Sequence, residues 1–273
     1  MRVGISASGS RRRYGGTAMA VLLLSGCANG AMSSAPPTVN AQGLRPAEAG
    51  EPVGSGSGCP AEINRIVDTE APATAETILA LDFSGSFLSN DAARERIRSQ
   101  ARALVEQSVE RGQALRILSF TKTASGANTI VACPSLTAKY NNAAARSRKI
   151  ENLKRKATAA VDVAVESAIT VRMTQKHGRG TSIVGGFLAI AESASQVRPG
   201  TPRDAVMFSD GQGMDEDAAI DLSGFRTVSL YGVGANAGLS MDTPTAVAAA
   251  ARWVHWLTGH GAKSPNASTQ AMF

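Results

Sequence analysis

The chain has 273 residues, of which 43% are hydrophobic, 18% charged and 4% aromatic, the balance of a globular protein with one sizeable core and a flanking tail. Its formal charge is +6, but Arg2, Arg11, Arg12 and Arg13 precede Cys27 with no acidic residue among them, so cleavage before Cys27 would lower the charge by four, to +2. That field is too weak to suggest nucleic acid as a partner.

The N-terminus reads as an export signal. Arg11-Arg12-Arg13 gives a positive start, an apolar stretch around Met19 to Leu24 follows, and Leu24-Ser25-Gly26-Cys27 closes it. A run this short with small residues before the cut fits a signal peptide and falls short of a permanent membrane span. Leu-Ser-Gly-Cys resembles a bacterial lipobox, which implies diacylglyceryl transfer to the Cys27 thiol followed by cleavage before it. The expected organisation is a signal peptide over residues 1–26, the lipidated cysteine and a tether over 27–58, a folded domain over 59–262, and a disordered tail over 263–273. The tether is Ala-, Ser-, Pro- and Gly-rich and ends on Gly54-Ser55-Gly56-Ser57-Gly58, a composition that buries too little apolar surface to offset its ordering entropy. With Cys27 lipidated, Cys59 and Cys133 remain as one even pair in an oxidising compartment. The expectation is a disulfide, with two buried free thiols as the alternative. The protein is thus expected on the extracytoplasmic face of a cell-envelope membrane, anchored to it and not threaded through it.

Within the domain, Ile78-Leu79-Ala80-Leu81 is a short apolar run ending at Asp82, as a strand buried on both faces requires. Asn90 or Asp91 can cap a helix whose apolar positions Ile97, Ala101, Leu104, Val105 and Val109 recur at helical spacing, and Gly112 can end it. Residues 115–120 and 128–132 read as strands, and the Ser125-Gly126-Ala127 turn signal makes them an antiparallel hairpin. A long helix is expected over residues 142–171, with Ile150, Leu153, Ala157, Val161, Ala164, Ala168 and Ile169 as its apolar stripe. After Gly178-Arg179-Gly180 comes a second amphipathic helix carrying Ile183, Val184, Phe187, Leu188 and Ala191. Strands follow at 205–208 and 227–231. The last helix starts at Asp242-Thr243-Pro244 and stops at Gly259. Strands alternating with helices predict an α/β, doubly wound, mostly parallel sheet with one antiparallel edge strand and helices on both faces.

In such a fold, ligands bind beyond the carboxyl ends of the strands, where three segments would bring oxygen atoms. Asp82-Phe83-Ser84-Gly85-Ser86 follows the first strand, Gly180-Thr181-Ser182 precedes a helix, and Ser209-Asp210-Gly211 follows Met207-Phe208. Two carboxylates and three hydroxyls suit a small hard cation, and the absence of histidine and cysteine argues against zinc. Asp82-x-Ser84-x-Ser86, then Thr181, then Asp210-Gly211 resembles the metal-ion-dependent adhesion site of von Willebrand factor type A (VWA) domains. The resemblance covers roughly residues 73 to 262. It implies Ser84, Ser86 and Thr181 as hydroxyl ligands, Asp82 and Asp210 acting directly or through water, and Mg²⁺, Mn²⁺ or Ca²⁺ as the cation. It also implies a protein partner whose Glu or Asp carboxylate completes the coordination.

The 142–171 helix is longer than the family minimum and carries Arg146, Arg148, Lys149, Lys154, Arg155 and Lys156. These form either a solvated face or a contact with an anionic surface such as phospholipid headgroups. Gly232-Val233-Gly234 lacks the following unit that dinucleotide binding needs. His177, His255 and His260 show no zinc spacing. No general base or nucleophile is positioned near the metal segments, so the chain reads as a monomeric adhesion or scaffolding module and not an enzyme; the alternative is a metal-dependent hydrolase on the same fold.

Overall fold

A computed structural model describes residues 58–121, 127–175, 181–193, 199–212, 219–234 and 243–270, all within the unit Gly50–Phe273. Residues 1–57 with Cys27, Ser125 and Gly126 of the expected turn, Gly178-Arg179-Gly180, Asp242 and the side chain of Ser86 lie outside that description.

The central strand β1, Glu76–Asp82, is buried at all seven positions. Its alternation divides the core: Leu79 and Leu81 face one apolar cluster, Ile78 and Ala80 the other. A strand without a polar face must be covered on both sides. Parallel to β1 lie β2, Ala114–Phe120, and β4, Arg203–Phe208. Beyond β2 comes β3, Asn128–Cys133, antiparallel to it. Beyond β4 come β5, Thr227–Tyr231, and β6, Pro265–Ser268, both parallel. The sheet order is β3-β2-β1-β4-β5-β6. The expected mixed sheet with its antiparallel edge is therefore present. One expectation fails: residues 263–273 are not wholly a disordered tail, because Pro265–Ser268 is β6. Proline at the first position of an edge strand needs no ladder donor, and Val228 pairs with Pro265 there.

Among the described residues, six helices cover the sheet. On the Leu79 face pack α1, Ala61–Asn64, α2, Gly85–Leu88, α3, Asp91–Arg111, and α4, Ala143–Thr174. On the Ile78 face pack α5, Ile183–Glu192, and α6, Pro244–Gly259. The short α1 and α2 carry too few residues for a helical period to show in sequence. Capping explains the boundaries. The Asn90 side chain accepts from the N–H groups of Ala92 and Ala93, and Gly112 closes α3 at φ 61°, a left-handed conformation that costs glycine least. Asn142, Ser182 and Thr243 accept from Ala145, Gly185 and Ala246 respectively. On α4 the buried line is Leu153, Ala157, Val161, Val165 and Ile169; Ile150, Ala164 and Ala168 are at its margins.

α3 and α4 are antiparallel, and a ladder of ion pairs fixes their register. Glu110 meets Lys154 at 2.8 Å, Arg102 meets Asp162 at 2.7 Å, and Arg98 meets Glu166. A disulfide joins Cys59 to Cys133, with Cα atoms 4.4 Å apart. It ties the start of the described chain to the end of β3, where Ala132 N–H also donates to the Gly58 carbonyl at 3.3 Å.

Candidate functional site

Strand order decides where a site can form. From β1 the chain moves outward through β2 and β3, then returns to β4 on the other side of β1. The connections after β1 and β4 therefore part in opposite directions and leave a crevice at the carboxyl edge between them. Asp82 is the last residue of β1, and Ser209 and Asp210 follow β4 directly.

Asp82 has no solvent exposure; Ser84 is 2% and Asp210 4% exposed. Both oxygens of Asp82 are held. Oδ1 accepts the Ser84 backbone N–H at 2.8 Å, and Oδ2 accepts the Ser209 hydroxyl at 2.7 Å. Burial pushes the Asp82 carboxyl up to about 6; the Ser209 hydrogen bond pulls it down, the negative charge of Asp210 raises it, and backbone and side-chain bonds from Ser84 lower it. Among the described residues, no cationic side chain is one of the groups that act on it. Arg172, on the last turn of α4, reaches this edge but donates through Nε to the Phe83 carbonyl at 3.3 Å, and burial lowers its pKa.

The turn that carries Asp210 is pinned from three sides. Its Oδ1 accepts Gln212 N–H at 3.0 Å. Gly234 N–H, from the loop after β5, donates to the Asp210 carbonyl at 2.7 Å. Trp253 Nε1–H, from α6, donates to the Gly211 carbonyl at 3.1 Å. Gly211 sits at φ 73°, and a Cβ there would lie 3.0 Å from Val233 Cγ1, so both conformation and space select glycine.

Thr181 is half-buried and precedes the Ser182 cap of α5. Ser182 N–H donates to the Thr121 carbonyl at 3.2 Å, and Phe83 N–H to the Phe120 carbonyl at 2.9 Å. The start of α5, the end of β2 and the end of β1 therefore share one edge. Ser86 lies within α2, the first turn after Ser84. Asp82, Ser84, Asp210 and Thr181 thus lie on segments at one end of the sheet.

Three contributors were not singled out as site residues in the sequence. Ser209 bonds Asp82 directly, and its adjacency to Asp210 was the available signal. Trp253 and Gly234 hold the Asp210 turn from elements far along the chain, and nothing local in the sequence marks them. The basic set on α4 divides as well. Lys154 is taken up by Glu110 and by Glu151 at 3.7 Å, and Arg146 lies over the Tyr140 ring, 6.0 Å from its centroid. Arg148, Lys149, Arg155 and Lys156 are exposed.

No family model and no curated protein matches the chain. Among solved structures it is similar to BatB from Bacteroides thetaiotaomicron, at 18% identity and TM-score 0.38, over 57% of this chain and 65% of that one. It is also similar to proximal thread matrix protein 1 of the mussel byssus with a zinc-occupied MIDAS motif, at 16% and 0.36, over 60% and 40%. A third is a von Willebrand factor type A protein from Catenulispora acidiphila, at 16% and 0.38, over 59% and 33%. The chain spans less than two thirds of each of these. Their TM-scores are below 0.5, so the fold rests on the strand order and registers of this chain and not on these likenesses.

Proposed function

We propose that this domain is a metal-dependent binding module of the von Willebrand factor type A kind, and not an enzyme. Asp82, Ser84, Ser86, Thr181 and Asp210 are the residues that would hold a divalent cation, Mg²⁺ first and Mn²⁺ or Ca²⁺ after it. The observation that carries this reading is the Asp82 carboxylate. It has no exposure, is fixed at both oxygens, and stands beside a second carboxylate with no cationic side chain of the described residues acting on it.

Burying an uncompensated carboxylate costs several kcal/mol in general. A divalent cation at the mouth of the crevice would turn that cost into affinity. The donor set is all oxygen and carries two charges, which fits a hard cation and leaves room at it for one further anionic ligand. A Glu or Asp carboxylate of a protein partner supplies that ligand. The residues' part is to orient the oxygens, through the Ser84 and Ser209 bonds and the pinned Asp210 turn.

The module is placed at the extracytoplasmic face of a membrane through lipid on Cys27, with residues 28–58 as a tether. The Leu24-Ser25-Gly26-Cys27 sequence supports this part of the reading. Fractionation of cells making wild-type or Cys27→Ala protein tests the anchor: the variant should leave the membrane fraction or remain unprocessed. Crosslinking pull-down from membranes, in Mg²⁺ against chelator, tests the binding. The expected outcome is a protein captured only with metal and lost in Asp82→Ala. Equal capture in chelator would overturn the metal-dependent mode.

A further inference from the structure

Two ends of the molecule differ in kind. Asp82 and Asp210 stand at the carboxyl edge of the parallel strands. The described chain enters the fold at the other edge: β3 is antiparallel, so its last residue, Cys133, pairs opposite Leu115 near the start of β2, and the disulfide fixes Cys59 there.

The α3–α4 ion-pair ladder extends this division to the helices. Lys154 stands opposite Glu110, one residue before the end of α3, yet α4 begins at Ala143. At 1.5 Å per residue, α4 continues for about ten residues, ~15 Å, past the end of α3. The other end of α4 reaches the metal-side edge, where Arg172 meets the Phe83 carbonyl. The overhanging turns therefore lie at the end where the tether joins. There Lys139 N–H donates to the Ile66 carbonyl at 3.4 Å, and both Lys139 and Arg65 are exposed.

Arg148 and Lys149 lie on these turns and Arg155 and Lys156 directly after Lys154; the four repeat at a spacing of seven and occupy one exposed face of the helix. Glu151, the one acid between residues 143 and 156, is drawn toward Lys154 on the α3 side, at 3.7 Å. Arg155 Nη2 is steadied by Asn152 Oδ1 at 3.1 Å.

We infer that this face of α4 is a contact surface for the anionic headgroups of the membrane that carries the anchor. The domain then rests on the tether-side half of α4, which leaves the Asp82–Asp210 edge, at the other end of the helix, accessible to a partner. The orientation rests on the lipid-anchor reading; the headgroup contact does not. Four basic side chains near an anionic surface attract it additively, each strengthening binding roughly fivefold before salt screening.

The test is sedimentation of full-chain protein with Cys27→Ser, so that no lipid contributes, using phosphatidylcholine vesicles with and without about a third phosphatidylglycerol. At low salt the protein should bind the anionic vesicles at least tenfold better, and half-molar salt should remove the preference. The variant R148E/K149E/R155E/K156E should bind both vesicles equally, and K149E/K156E should fall between. These positions are exposed, and circular dichroism checks that the variants fold. No preference in the parent protein, or a preference that survives the fourfold reversal, overturns the inference. Detergent-phase partitioning of the unmutated, cell-expressed protein reads the Cys27 anchor separately, so the two claims fail independently.

Discussion

Replacing Asp82 with Asn should stabilise the metal-free protein at pH 8. The carboxyl is pushed from 3.8 to about 6 by burial, so the folded state prefers its protonated form. Its contribution to stability is fully present below pH 3.8 and is lost as pH rises through about 6. A shift of about two units corresponds to about 3 kcal/mol. The group has no solvent exposure, so water does not screen that figure away. Asn keeps an oxygen for the Ser84 N–H and offers an amide to the Ser209 hydroxyl, which can rotate to accept it. In a domain of this size each kcal/mol moves the melting midpoint by about 2–4 °C, so D82N in chelator should melt several degrees above wild type at pH 8. At pH 4 the two should melt together, and added Mg²⁺ should raise wild type but not D82N. Calorimetric melts across pH 4–8 read all of this. A D82N protein less stable than wild type in chelator at pH 8, with no pH dependence of the difference, would refute the reading of Asp82 as an uncompensated buried charge.

The disulfide and the Asp210 turn give two more tests. Reducing the Cys59–Cys133 bridge, or replacing both residues with Ser, opens a loop with a sequence separation of 74. The chain-entropy model assigns such a loop about 4 kcal/mol, so thermal melts with and without reductant should differ by on the order of ten degrees. Trp253→Phe removes the hydrogen bond to the Gly211 carbonyl while keeping an aromatic ring in the core. Chemical denaturation should show a loss of about 1–2 kcal/mol, and calorimetry a weaker metal affinity; unchanged affinity would mean that the Asp210 turn holds itself.

Much of the fold was legible because its signals are local. The apolar run before Asp82, the Asn90 and Gly112 boundaries of α3 and the Thr243-Pro244 start of α6 each state themselves within a few residues. β6 did not, since Pro265-Asn266-Ala267-Ser268 has neither apolar alternation nor β-branched residues and is ordered by pairing with β5. On α4, Val165 belongs to the buried line although Ala164 and Ala168 fit a helical stripe equally well. Packing on α3 and the sheet, not period alone, selects the line at spacing four. At the site, the oxygen-bearing segments could be read because they sit at the ends of recognisable strands. What holds them could not: Ser209 acts on Asp82 across a sequence separation of 127, and Trp253 acts on Gly211 from 42 residues away. The division of the basic residues on α4 was hidden for the same reason, since only the register with α3 assigns Lys154 to Glu110.

Titration of Mg²⁺ into the full chain by calorimetry, at pH 7.5 and again at pH 5, measures the metal site directly. Wild type should bind one ion at pH 7.5, and more weakly at pH 5, where protons compete for Asp82 below its pKa of about 6. Asp82→Ala and Asp210→Ala should each abolish binding while retaining the wild-type circular dichroism spectrum. Absence of binding by wild type to Mg²⁺, Mn²⁺ and Ca²⁺ alike, or undiminished binding by Asp82→Ala, would contradict the metal-dependent module proposed for this domain.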